Sequence, residues 1–126
     1  MSQTTRTLLA LRAAVGASSW LTPRAAGRTF GLNAAANPQS PYLARLFGVR
    51  DLALAAGYMG AAPPARRHWL MVGIACDLAD VAAGVIGTRA GYLSKTSGAM
   101  VTGAAVGAVV LGALALGEEA PASETS

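Results

Sequence analysis

Apolar residues in this chain come in four long runs, separated by short gaps that carry proline, glycine or basic residues. The runs cover about residues 6–21, 42–61, 69–88 and 97–117, and the last three are near the ~20 residues that cross a bilayer as a helix. The pattern predicts an all-α fold: a polytopic membrane protein whose residues 1–117 form one four-transmembrane-helix bundle. Residues 118–126, starting Glu118-Glu119, read as a disordered acidic tail.

Local signals place the ends of the runs. Thr22-Pro23 stops the first, and Arg24, Arg28, Phe30 and Leu32 suit a turn or two of interfacial helix after it. Ser40 is the expected N-cap of the second helix, with Pro41 where its missing N–H costs nothing. Pro63-Pro64 should end that helix, leaving Arg66, Arg67 and His68 as a tight basic connection. Residues 89–95, with Gly91, form another basic turn, and the fourth run carries no charge. The first run has two rival readings. One is a signal peptide with Arg6 in its n-region and Ala17-Ser18-Ser19 near a cleavage site, although Arg12 breaks the h-region. The other is a surface-lying amphipathic helix. A short span is the favoured reading.

Aromatic residues agree with this layout, because Trp and Tyr concentrate at membrane–water interfaces. Trp20, Tyr42 and Tyr92 fall at one expected face, Tyr58 and Trp69 at the other. Arg24, Arg28, Arg45, Arg89 and Lys95 share the first face and Arg6, Arg66 and Arg67 the second. That bias leans towards a cytoplasmic first face in the inner membrane.

Composition narrows the class. Apolar residues make up 53% of the chain and charged residues 13%, about half the charged share of a soluble domain. The net charge of +4 comes from bases spread through the gaps, not from a patch interleaved with aromatics, so nucleic-acid binding is not expected. Cys76 is the single cysteine and His68 the single histidine, too few for a disulfide or a His-based metal cluster. No phosphate loop and no nucleophile–base pair appears, so neither enzymatic activity nor a cofactor is expected.

Five charges interrupt the apolar runs: Arg12, Arg50, Asp51, Asp77 and Asp80. Ionisable groups in hydrocarbon cost several kcal/mol unless they face a bundle interior or an aqueous path. Counting inward from the first face at about 1.5 Å per residue, Arg50 and Asp80 lie about 12 Å deep. Arg12 and Asp51 fall at about 13–14 Å and Asp77 at about 16–17 Å by the same rise. Asp77 and Asp80 share one face of a helix. The expected arrangement is a nearly neutral buried network, in which Arg50 reaches one or both of these acids and Arg12 supplies the second cation. Such a network either fixes helix register, carries a proton or cation, or leaves a carboxylate for a partner helix.

Helix association in lipid depends on small residues that let backbones approach. They recur at four-residue spacing: Ala10, Ala14 and Ser18; Ala44 and Gly48, then Ala53 and Gly57; Ala75, Ala79, Ala83 and Gly87. In the fourth run, Gly103, Gly107 and Gly112 form the candidate packing or partner face.

The stretch Arg45-Leu46-Phe47-Gly48-Val49-Arg50-Asp51-Leu52-Ala53-Leu54, followed by a basic turn and Asp77-Leu78-Ala79-Asp80, resembles a family of small four-helix actinobacterial membrane proteins of unknown function. Its members show a similar Arg–Phe–Gly–x–Arg–acid stretch and paired acids in the next helix. The resemblance covers roughly residues 8–116 and implies the fold and the membrane; it supplies no reaction or ligand. Arg50, Asp51, Asp77 and Asp80 fall on its charged positions, and Arg12 is not placed by it.

The functional expectation is an accessory or stabilising subunit of a larger inner-membrane complex, such as a lipid-import transporter. Its partners would be membrane lipids and other integral membrane proteins, met through the fourth helix. The alternative is a small homo-oligomeric transporter or ion pathway using the mid-membrane Asp and Arg residues. A lipid or quinone-like ligand carrier is a third class.

Overall fold

The computed structural model describes residues 1–119, and these form five helices and no strand. They are α1 (Gln3–Leu21), α2 (Pro23–Thr29), α3 (Ser40–Gly60), α4 (Pro63–Ala90) and α5 (Lys95–Glu118). Side-chain caps start two of them. The Ser2 hydroxyl accepts from the Thr5 N–H at 3.1 Å, and the Ser94 hydroxyl from the Ser97 N–H at 3.1 Å. Each satisfies an N–H that has no partner within the helix. Gly91, at φ 86°, ends α4 in the left-handed conformation that favours glycine. Gly31, at φ 75°, turns the chain after α2, where its carbonyl accepts from the Ser97 hydroxyl at 3.0 Å.

Several boundaries differ from the sequence expectation. Only Ala61 and Ala62 separate α3 from α4. The Pro63-Pro64 pair opens α4 instead of forming part of a loop, because the first turn of a helix needs no N–H. Arg66, Arg67 and His68 therefore belong to a helix and not to a connection. Ser40 is the first residue of α3, preceded by Gln39 as a cap without a side-chain bond. α1 begins three residues earlier than expected and α5 two, and α4 runs two residues further. Glu118 closes α5, and Glu119 accepts the Tyr58 hydroxyl at 2.9 Å, so neither begins a free tail. The rest of the expected disordered tail, residues 120–126, lies outside the described residues.

The four long helices form a ring in the order α1, α3, α4, α5, each antiparallel to both neighbours, and α2 packs across the α1–α3 corner. Glycines set the closest approaches. A Cβ on Gly16 would lie 2.8 Å from the Gly48 carbonyl oxygen, and one on Gly48 would lie 2.7 Å from that of Gly16. The backbones of α1 and α3 thus touch directly. Gly57 receives the ring of Trp69, Gly98 faces Thr88, and Gly84 faces Thr102.

Two sequence-based small-residue stripes need correction. Ala10, Ala14 and Ser18 of α1 are exposed, as are Ala75, Ala79 and Ala83 of α4. On α4 the inward stripe is Leu70, Gly73, Asp77, Gly84 and Gly87, with half-buried Asp80 on the same seam. Its alternating three- and four-residue steps follow the seam of an antiparallel bundle.

Buried polar and charged residues share the interior with apolar ones, while many large apolar side chains face outward. The apolar core is a small cluster of Leu8, Leu9, Ala55, Tyr58, Leu70 and Ala115 at one end of the ring. Large apolar side chains such as Leu43, Leu46, Met71, Leu78, Ile86 and Leu114 point outward. Tyr58 is only 2% exposed; it is a core residue and not the interfacial anchor expected of it. Trp20, Tyr42 and Tyr92 are exposed. α4 and α5 are long and apolar enough to cross a membrane, with mean hydropathies of 1.8 and 2.2 over 18 residues. Only 28% and 17% of those stretches is buried, so neither is the enclosed central helix of a globular core.

Candidate functional site

The middle of the ring holds the five charges that interrupt the apolar runs, contributed by three helices. Arg12 comes from α1, Arg50 and Asp51 from α3, and Asp77 and Asp80 from α4. Arg12 donates to both Asp77 oxygens, Nη1 to Oδ1 at 3.3 Å and Nη2 to Oδ2 at 2.6 Å. Arg50 does the same to Asp80, Nη1 to Oδ1 at 2.9 Å and Nη2 to Oδ2 at 2.5 Å. These are two parallel bidentate forks, the strongest geometry open to an arginine–carboxylate pair.

Asp51 lies between the forks. Its Oδ1 is 3.7 Å from Arg12 Nη1 and 3.8 Å from Arg50 Nη2. The charges thus run in one unbroken alternating line: Asp77, Arg12, Asp51, Arg50, Asp80. Arg12, Asp51 and Asp77 are 6%, 5% and 3% exposed, whereas Arg50 and Asp80 are half-buried at one margin. Three carboxylates face two guanidinium groups, so the line carries one formal negative charge in excess. Asp51 Oδ1 and Arg50 Nε are buried and make no hydrogen bond with the described residues.

Sequence reasoning missed three residues that build this line. A Cβ on Gly73 would lie 2.7 Å from Arg12 Nη2. The guanidinium therefore crosses α4 directly over a glycine, one turn before the aspartate it binds. The signal was present in the sequence as Gly73 and Asp77, four apart and hence on one helix face. Gly16, four residues after Arg12, makes the close approach to Gly48 that brings Arg12 within reach of Asp51. Phe47, one turn before Arg50, carries the guanidinium carbon 4.6 Å above its ring centre, a cation–π arrangement that covers a half-buried charge.

α5 adds no charged group to the line. Its ties to the bundle lie near its two ends. Arg67 Nη1 donates to the Leu116 carbonyl at 3.0 Å, Thr4 Oγ1 to Glu118 at 3.1 Å, and Ser97 to Gly31. The three glycines expected to form one face on this helix do not share a face. Gly112 is buried, and a Cβ there would meet Ile74 at 2.8 Å. Gly103 and Gly107 have no atom within 4 Å of that position and point outward. The difference follows from helical rotation: Gly103 and Gly107 are four apart and stack, while Gly112 lies five positions on, well round the helix from Gly107.

Chemically, the line can hold three helices in one register. Moving α4 by a single residue rotates Asp77 by about 100° and breaks both forks. Comparison of the chain with family models, with curated proteins and with solved structures gives no match.

Proposed function

We propose that this chain is a four-span protein of the bacterial inner membrane, acting as an accessory or stabilising subunit of a larger membrane complex. α1, α3, α4 and α5 would be the spans, and α2 would lie at the interface. The observation that carries this reading is buried charge combined with outward-facing large apolar side chains. Arg12, Asp51 and Asp77 are buried inside, while large aliphatic side chains face outward around the ring. Water penalises that arrangement and hydrocarbon favours it. α1 and α3 contain no 18-residue stretch as apolar as those of α4 and α5; α1 carries Arg6 and Arg12, and α3 carries Arg45, Arg50 and Asp51. In the assembled bundle, Arg12, Arg50 and Asp51 are ion-paired, which lowers the cost of placing those two helices in hydrocarbon.

The subunit reading rests on the outward notch of α5. Gly103 and Gly107 are open, and short connections leave little surface outside the helices for soluble partners. Small residues four apart are the means by which membrane helices approach one another. A lipid importer is the host we would examine first. Arg24, Arg28, Arg45, Arg89 and Lys95 gather at one end of the bundle against Arg6, Arg66 and Arg67 at the other, which favours a cytoplasmic first end.

The test is to tag the C-terminus, solubilise native membranes gently and identify what co-purifies. A stoichiometric set of other membrane proteins supports the subunit reading. One observation favours a second reading: the surplus carboxylate Asp51, with an oxygen that makes no hydrogen bond to the described residues, is suited to carrying a proton. On that reading the chain purifies as a homo-oligomer and moves protons across liposomes, and Asp51→Asn abolishes the flux.

A further inference from the structure

Where α1, α2 and α3 meet, the chain forms an open cleft of about 370 Å³. It is lined by Leu21, Pro23 and Pro41 and by three arginines, Arg24, Arg28 and Arg45. Arg45 is held in place by its Nε, which donates to the Trp20 carbonyl at 3.0 Å. That bond uses one nitrogen and leaves the two terminal nitrogens of the guanidinium for another acceptor. Among the described residues, none of these three arginines has a carboxylate within ion-pairing distance. The described carboxylates lie either in the central line or at the opposite end of the bundle, where Glu118 and Glu119 are. Three unneutralised guanidinium groups around one cleft make a site for an anion with several oxygens, because the planar fork matches phosphate.

The surroundings indicate the kind of phosphate. Leu21, Tyr42 and Leu43 are 74%, 66% and 60% exposed, and Trp20 is 46% exposed. Trp20, Tyr42 and Leu43 are chain neighbours of the lining residues Leu21 and Pro41, so exposed apolar and aromatic side chains lie at the same end of the bundle, as where acyl chains meet headgroups. We propose that the Arg24–Arg28–Arg45 cleft binds the phosphate of an anionic phospholipid headgroup, with the acyl chains lying along the exposed apolar residues of α1 and α3. This rests on the membrane reading above.

The experiment uses the full chain in nanodiscs of equal phosphatidylglycerol and phosphatidylcholine, with retained lipid read by native mass spectrometry. Wild-type chain should retain phosphatidylglycerol preferentially. Arg24→Gln with Arg28→Gln should reduce that preference about tenfold, since it removes two of the three planar forks that match the phosphate. Both side chains are exposed and make no hydrogen bond to the described residues, so this variant should fold. Arg89→Gln with Lys95→Gln removes the same charge from the same end but lies outside the cleft, and it should leave the preference largely intact. Equal loss in the two double variants would mean general surface attraction and would overturn the proposal. Saturable binding of inorganic phosphate to the detergent-solubilised chain, without lipid preference in nanodiscs, would overturn the lipid assignment. A chain that does not enter nanodiscs contradicts the membrane reading itself, whereas one that enters and shows no preference overturns the headgroup site alone.

Discussion

At the scale of single residues, Arg12 is the side chain on which the centre depends. It is buried, and its guanidinium lies against two acidic residues on two other helices. Replacing it with alanine leaves Asp77 and Asp51 enclosed with one cation fewer. Breaking a buried pair from one side costs about 3–5 kcal/mol, so Arg12→Ala should sharply lower folded yield and thermal stability in detergent. Gly73→Ala tests the same contact without touching a charge. The added methyl would lie 2.7 Å from Arg12 Nη2, and because that guanidinium is held in a fork with Asp77 the variant should lose stability in the same direction. A melting temperature equal to wild type would show that the guanidinium does not need the glycine. The second fork is suited to a double-mutant cycle. Arg50→Ala and Asp80→Ala each strand a charge, and the double variant should be less damaging than the sum of the two. Additive losses would mean the bidentate contact contributes nothing specific. The charged positions themselves were legible in the sequence, because a charge inside an apolar run is conspicuous. Their supports were not: Gly73 and Gly16 look like any other glycine in a chain that has 15.

At the scale of the elements, the helices divide into two kinds. α1, α3 and α4 share the ion-paired line, while α5 is held by small-residue packing and by polar ties near its ends. Substitutions on the two faces of α5 should therefore differ. Gly112→Leu drives a side chain into Ile74 and should destabilise the bundle by about 1–3 kcal/mol, as overpacking does. Gly103→Leu with Gly107→Leu meets open space; it should leave the isolated chain folded and reduce recovery of co-purifying membrane proteins. If this variant recovers the same partners as wild type, the α5 notch is not the docking face. Element existence was readable from the four apolar runs, and α2 from its polar-apolar mixture after Thr22-Pro23. The faces were not readable. Small residues sit on nearly every side of these helices, so a four-residue spacing picked Ala75, Ala79 and Ala83, which are exposed. The inward seam steps by three and four through glycines and aspartates, a pattern a search for apolar periodicity overlooks. The Pro63-Pro64 pair misled for a related reason: proline both ends and begins helices, and only the two-residue link shows which.

At the scale of the whole molecule, the arrangement of charge and apolar surface bears on the solvent around the bundle. On the proposed four-span reading, hydrocarbon surrounds the ring, and all four long helices meet it at the level of the charge line. By length and hydropathy α4 and α5 are the helices apolar enough to cross a membrane; the four-span proposal adds α1 and α3, whose Arg12, Arg50 and Asp51 are ion-paired inside the ring. The most direct measurement is therefore site-specific labelling in native membranes. Cys76 is first replaced by alanine, and single cysteines are placed at exposed positions along the bundle. Leu11, Val49, Leu78 and Val106 all point outward, one from each long helix, and Ala35 and Gly91 lie in the connections at one end. The four-span account predicts that the first four resist a water-soluble maleimide until detergent is added. It also predicts that the two connection sites label readily from a single side of the membrane. Ready labelling at Leu11 and Val49 in intact membranes, with Leu78 and Val106 protected, would contradict it and leave only α4 and α5 in the bilayer.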